Sequence, residues 1–289
     1  MRLNEPLHST PSSMVDRFLF TPIDARIAAI FRIALACFLA FAFLDLSLRP
    51  IPPLSTLPYA MWIYNHIILR KFYMAAIAVL CGALAIGYRP RLVGLVLFVI
   101  LVPLGSLSSA RQSRQILLMT LLAFSMVRSD GQWSWRTLRG GLPFASAGPI
   151  WPIRLIQIQL CLVYLINAYA KSTREYLHGD ILIGMSRMRG NFLVNLSDGY
   201  QHIGPLRIPV MAAAIASVII EFWLAIGFWF PRTRWLTAVI GVIFHLGLQQ
   251  IVHIYMLDLA SMFLYLAFLL PWVPRTRDSV LDSPQRAAV

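Results

Sequence analysis

Seven ionisable side chains stand inside otherwise apolar stretches of this chain: Arg32, Asp45, Lys171, Glu221, His245, His253 and Asp258. An ionisable group in hydrocarbon is costly, so such residues normally face a bundle interior or a wet cavity. Lysine is the most informative type among them. The sequence holds 25 Lys and Arg, and only Lys71 and Lys171 are lysines. Arginine keeps its proton, whereas a lysine amine in a low-dielectric setting can give it up and then serve as a base. Lys171 also ends an apolar segment, so a lysine that snorkels to the membrane surface is the competing reading.

Spacing adds two polar stripes. With a 3.6-residue repeat, Tyr164, Asn167 and Lys171 share one face of their segment, and His245, Gln249 and His253 recur every four residues on another. Interhelical hydrogen bonds of about 1 kcal/mol or less each account equally for lone Asn and Gln side chains. The histidines read either as structural groups or as a proton relay. His245 and His253 would stand about 12 Å apart along a helix, too far for one metal ion to bridge. Cys37, Cys81 and Cys161 lie in apolar runs without CxxC spacing, so no metal site is expected. Glu221 needs a partner or a proton, and Arg32 is its expected charge complement. Arg32, Glu221 and Asp258 together are read as structural charges first. No Gly-rich phosphate loop, GxSxG or HExxH is found.

The elements that must carry these residues follow from composition. With 58% hydrophobic and 13% charged residues and a mean hydropathy of +0.70, the chain is expected to be an all-α, polytopic helical membrane bundle. Apolar windows predict about eight spans, at 27–48, 71–88, 91–108, 115–128, 152–171, 208–230, 234–253 and 256–273; the fourth is short, which leaves seven as the alternative. A net charge of +13 would suggest nucleic acid for a soluble protein, but here the arginines sit in short connectors, the membrane-orientation pattern. Their distribution places both termini in the cytoplasm and the 172–207 connector outside, in what reads as a bacterial inner membrane. Within 49–70, "YAMWIYNHIILR" suits a helix lying at the interface. The polar opening "MRLNEPLHSTPSSMVDRFLF" predicts no cleaved signal. The partition is an N-terminal segment, 1–26, a membrane domain, 27–273, and a tail, 274–289.

Three stretches, taken in order, resemble the HTTM (horizontally transferred transmembrane) family, which includes the membrane domain of vitamin K-dependent gamma-glutamyl carboxylase. They are "PIDARIAAIFRIALACFLAFAFLD", with an aromatic-Arg pair in its first span, "WPIRLIQIQLCLVYLINAYAKSTREYLHG", where a Tyr-rich span ends in Lys with Gly eight residues on, and "FHLGLQQIVHIYML". The resemblance implies that Lys171 matches the carboxylase's catalytic base towards a reduced vitamin K-like quinol, that His245 matches an active-site histidine, and that Gln250 matches a neighbouring glutamine. Tyr164, Asn167 and Gln250 would then orient the cofactor, and a small exported peptide would be the substrate to be matured. Two departures stand out: Gln115 replaces a second site histidine, and Ala170 replaces the first of a lysine pair. The chain as given also ends after its last span, without a large extramembrane domain, so carboxylation of a docked protein is not expected. The rival to an enzyme is a non-enzymatic transport, binding or assembly protein.

Overall fold

A computed structural model describes residues 13–48, 66–105, 111–189, 207–252 and 255–272. An exposed helix α1 (Met14–Phe20) is capped by Ser13, whose hydroxyl accepts from the Asp16 amide, and leads through strand β1 (Pro22–Asp24) into α2 (Ala25–Leu48). Next come α3 (Ile67–Ala85), α4 (Pro90–Gly105), α5 (Arg111–Phe124), the short α6 (Trp135–Leu138) and strand β2 (Ser146–Pro149). The second half comprises α7 (Trp151–Lys171), α8 (Arg174–Leu177), α9 (Asp180–Arg189), α10 (Arg207–Gly227), α11 (Arg234–Val252), α12 (Tyr255–Leu264) and α13 (Leu266–Leu269).

Among the described residues, four helices are long and apolar enough to cross a membrane, at Ala25–Phe43, Ile68–Ala85, Trp151–Lys171 and Ile208–Gly227. The other four apolar windows also fold as helix but are shorter: Pro90–Pro103, Arg114–Phe124, Arg234–Gln249 and Asp258–Leu269. Inward faces carry Phe31, Leu35, Leu39 and Phe228, while Val79, Val99, Ile219 and Ile243 are more than half exposed. Apolar residues on both faces are what a bundle solvated by lipid requires. The helices follow one another around the bundle, α2 on α3, α3 on α4, α4 on α5, α5 on α7, α7 on α10 and α10 on α11. Helix α12 packs against α5, α7 and α11 together.

Two features depart from the sequence reading. Strands β1 and β2 pair antiparallel, Pro22 with Pro149 and Asp24 with Ser146, so the helical bundle carries a small sheet. Segments this short and Pro-bounded have no periodicity to read. The sheet also brings part of the predicted 1–26 segment into the fold, since the Asp24 amide donates to the Trp272 carbonyl. Further on, the predicted external connector contains α8 and α9, which pack onto α10 and α11. There Ala168, Tyr176, Leu182, Ala214 and Val218 form a second small core. The turn between α8 and α9 needs Gly179: its φ is +86°, and a Cβ there would lie 2.7 Å from Val210 Cγ1. The expected interfacial helix, apart from His66 and the start of α3, and the tail from 274 lie outside the described residues, as does His253.

Candidate functional site

Helix α7 opens with Pro152 in its first turn and closes on Lys171 in its last, the ends at which a proline and a cation are each favoured. Lys171 Nζ donates to Glu221 Oε1 at 2.7 Å and stands 5.7 Å from the centre of the Tyr176 ring. Glu221 is buried and lies about 21 Å along α10 from the Arg207 end, at 1.5 Å per residue. The last turn of α7 therefore meets α10 well inside its length, and the ammonium is paired with a buried carboxylate. One helical turn below, half-buried Asn167 takes no hydrogen bond from a described residue.

A second polar group lies beside the pair. Tyr164 Oη is 2.7 Å from His245 Nε2 and 2.7 Å from Tyr265 Oη, and His245 Nδ1 is 2.7 Å from Asp258 Oδ1. All four side chains are at most 5% exposed. With Asp258 ionised, Nδ1–H donates to the carboxylate and Nε2 is left as an acceptor. Tyr164 then donates to Nε2 and accepts from Tyr265, which gives the chain a single direction from Tyr265 to His245. Tyr164 and Lys171 belong to the same helix, seven residues apart on one face, so the ion pair and the chain are both anchored on α7. Two of their acceptors, Glu221 Oε2 and Asp258 Oδ2, are buried and have no hydrogen-bond partner among the described residues.

Of the residues expected at the site, Lys171, Glu221, Tyr164, His245 and Asp258 come together. Gln250 lies on α11, but its side chain falls outside the described residues. Gln115, where the carboxylase has a histidine, is exposed on α5. The expected Arg32–Glu221 pairing is overturned. Arg32 is fully buried and donates instead to the backbone carbonyls of Ala85, Ser129, Gln132 and Trp133. The reason is topological: α2 packs on α3, whereas the α10 helix of Glu221 packs on α7. Tyr265 and Ser261 are additions the sequence reading missed. Both are buried: Ser261 follows Asp258 by three residues on α12, and Tyr265 follows it by seven, at the α12–α13 junction where its backbone stays helical. Tyr265 also explains Gly241 on α11, where a Cβ would lie 2.3 Å from the tyrosine oxygen.

Apolar helices with lipid-ready outer faces and an enclosed ion pair beside a Tyr-His-Asp chain define an integral membrane protein with a polar interior site. The sequence matches the HTTM domain over residues 20–272, most of its length, and the chain belongs to that family. No curated protein and no solved structure matches it.

Proposed function

We propose that the protein is a membrane enzyme that uses Lys171 as a general base, with Glu221 as its immediate proton partner and Tyr164, His245 and Asp258 as a relay. The observation that carries this reading is the 2.7 Å Lys171–Glu221 contact whose second carboxylate oxygen is buried with no donor. In this reading Glu221 Oε1, in contact with Nζ, is the atom that takes the lysine proton and leaves the amine free to act as a base. Lys171 Nζ then accepts a proton from a hydroxyl or acidic C–H held next to it. His245, fixed by Asp258, moves a proton through Tyr164.

The reduced quinol that the family implies fits this donor set, because a hydroxyl would supply the donor that Glu221 Oε2 lacks. Lys171 and Glu221 would hold it, with Tyr164, Asn167 and Gln250 as the orienting candidates. Once bound, such a group supplies an electron-rich ring that oxygen can oxidise. A small exported peptide is the proposed final substrate, and the proposed topology has eight crossings with cytoplasmic termini in a bacterial inner membrane. A solute path through Arg32, Glu221 and Asp258 has less support, since the Arg32 guanidinium is taken up by backbone carbonyls.

The test is oxygen uptake by the purified protein in lipid nanodiscs with a reduced naphthoquinone, for wild type, Lys171→Arg and Lys171→Ala at equal folded content. Uptake by wild type that both variants lose is the expected result. Uptake no greater than that of empty nanodiscs overturns the quinol reading.

A further inference from the structure

The other polar concentration lies away from Lys171, where the α3–α4 turn meets the loop before α6. Two neighbouring cavities of about 300 and 460 Å³ share Arg89 and Asp130 in their walls. Arg91 and Arg128 line the first, and Arg136 and Arg139 the second. Five arginines thus line cavities that hold one carboxylate, and Asp130 stands 4.0 Å from Arg136. The cavities also receive the N-terminus of α4 at Pro90, where the helix dipole adds positive potential.

Several arginines are held in place. Arg136 stacks 3.9 Å from the Phe144 ring centre and donates to the Leu142 carbonyl, Arg139 lies 4.5 Å over Trp135, and Arg91 donates to the Met126 carbonyl at 3.2 Å. Beneath them, buried Arg32 anchors the 129–133 backbone. Among the described residues, only Arg89 and Trp133 are non-glycine residues with positive φ, at +40° and +43°. Backbone conformations of this kind persist where the surroundings enforce them and cluster at binding sites. Both occur here.

The rim is apolar. Trp135, 37% exposed, lines the second cavity, Leu138, 77% exposed, precedes Arg139 in the chain, and Leu142, whose carbonyl accepts from Arg136, is 81% exposed. A free phosphate would gain nothing from that rim, whereas an amphiphile would place its headgroup among the arginines and its glycerol and upper acyl carbons on the leucines and tryptophan. We propose that this mouth is a binding site for the phosphate of an anionic phospholipid headgroup, independent of the chemistry at Lys171.

The experiment is native mass spectrometry of the full-length protein in neutral detergent with equal phosphatidylglycerol and phosphatidylcholine. Wild type is expected to retain phosphatidylglycerol with about tenfold preference or more. The pair Arg89→Asn and Arg139→Gln should lose that preference, asparagine being chosen because it tolerates positive φ. The pair Arg91→Gln and Arg128→Gln provides a second variant should the first misfold. Arg174→Gln with Arg232→Gln, the same charge change outside these cavities, should keep the preference. Equal retention of the two lipids by wild type, or equal loss in the control pair, overturns the proposal. Displacement of phosphatidylglycerol by excess inorganic phosphate also overturns it, by showing a phosphate site without lipid selectivity.

Discussion

Two cations carried by apolar helices, Arg32 and Lys171, are accommodated in opposite ways. Arg32 is fully buried, and its guanidinium nitrogens go to carbonyls of the α3–α4 turn and the 129–133 loop. Its planar fork suits several fixed acceptors at once, and it cannot be deprotonated. Gly87 makes room for it, since a Cβ there would stand 2.8 Å from the guanidinium. Lys171 remains 26% exposed in its side chain and has one anionic partner, whose other oxygen is unsatisfied. The first arrangement is saturated and holds three chain segments together. The second retains unused hydrogen-bonding capacity, which a fold maintains at a cost unless a ligand uses it.

That contrast is broken most directly at Arg32. Arg32→Ala strands carbonyls on two segments, the end of α3 and the 129–133 loop, and should cost more than about 3 kcal/mol, read as a fall in thermal midpoint and in monodisperse yield. Arg32→Lys should recover little, because an ammonium cannot fork to acceptors spread from Ala85 to Trp133. A lysine variant as stable as wild type would show that charge alone suffices there, and the comparison with Lys171 would fail.

At the other cation the expected loss is smaller and can be cancelled. Glu221→Gln should cost about 2 kcal/mol, reduced from the fully buried case because Lys171 is partly solvated. The double replacement Lys171→Met with Glu221→Leu should return to within about 1 kcal/mol of wild type. Both should abolish quinol-dependent oxygen uptake. A double variant no more stable than Glu221→Gln would mean that the pair is a staple of the same kind as Arg32.

Within the relay, Tyr164→Phe leaves both His245 and Tyr265 without their partner and should cost about 2 kcal/mol, against about 1 kcal/mol for Tyr265→Phe. Gly241→Ala acts on the same chain from outside: its methyl overlaps the Tyr265 oxygen and should cost about 1–3 kcal/mol by overpacking. Combining Gly241→Ala with Tyr265→Phe should relieve part of that cost. Additive losses in the melting experiment would show that the clash is absorbed elsewhere.

The polar residues of the site could be found in the sequence because charge inside an apolar run is conspicuous, and Lys171, Glu221, His245 and Asp258 all met that criterion. Their partners could not, because pairing depends on which helices touch. Arg32 and Glu221 look complementary on paper, but α2 and α10 pack on different neighbours, and the charge Glu221 required was Lys171 at the end of α7. Tyr265 was overlooked because a tyrosine in an apolar helix is ordinary, although its register with Asp258 and Ser261 was available. Helices α8 and α9 were hidden by a polar stretch that reads as a loop, yet Tyr176 of α8 bonds Ser217 at 3.0 Å and seats the end of α7 against α10.

The smallest expected effect falls on Asn167, which separates positioning by the fold from positioning by a ligand. It shares a helical face with Tyr164 and Lys171, and among the described residues its side-chain amide has no hydrogen-bond partner. Asn167→Ala should therefore leave the thermal midpoint within about 0.5 kcal/mol of wild type. If the face it shares with Lys171 receives the substrate, the same change should raise KM for the reduced quinol while kcat stays near wild type, because an orienting amide adds binding common to ground and transition states. A fall in stability with unchanged KM would assign Asn167 to the packing of α7. The substrate would then have to approach Lys171 from the Tyr176 side.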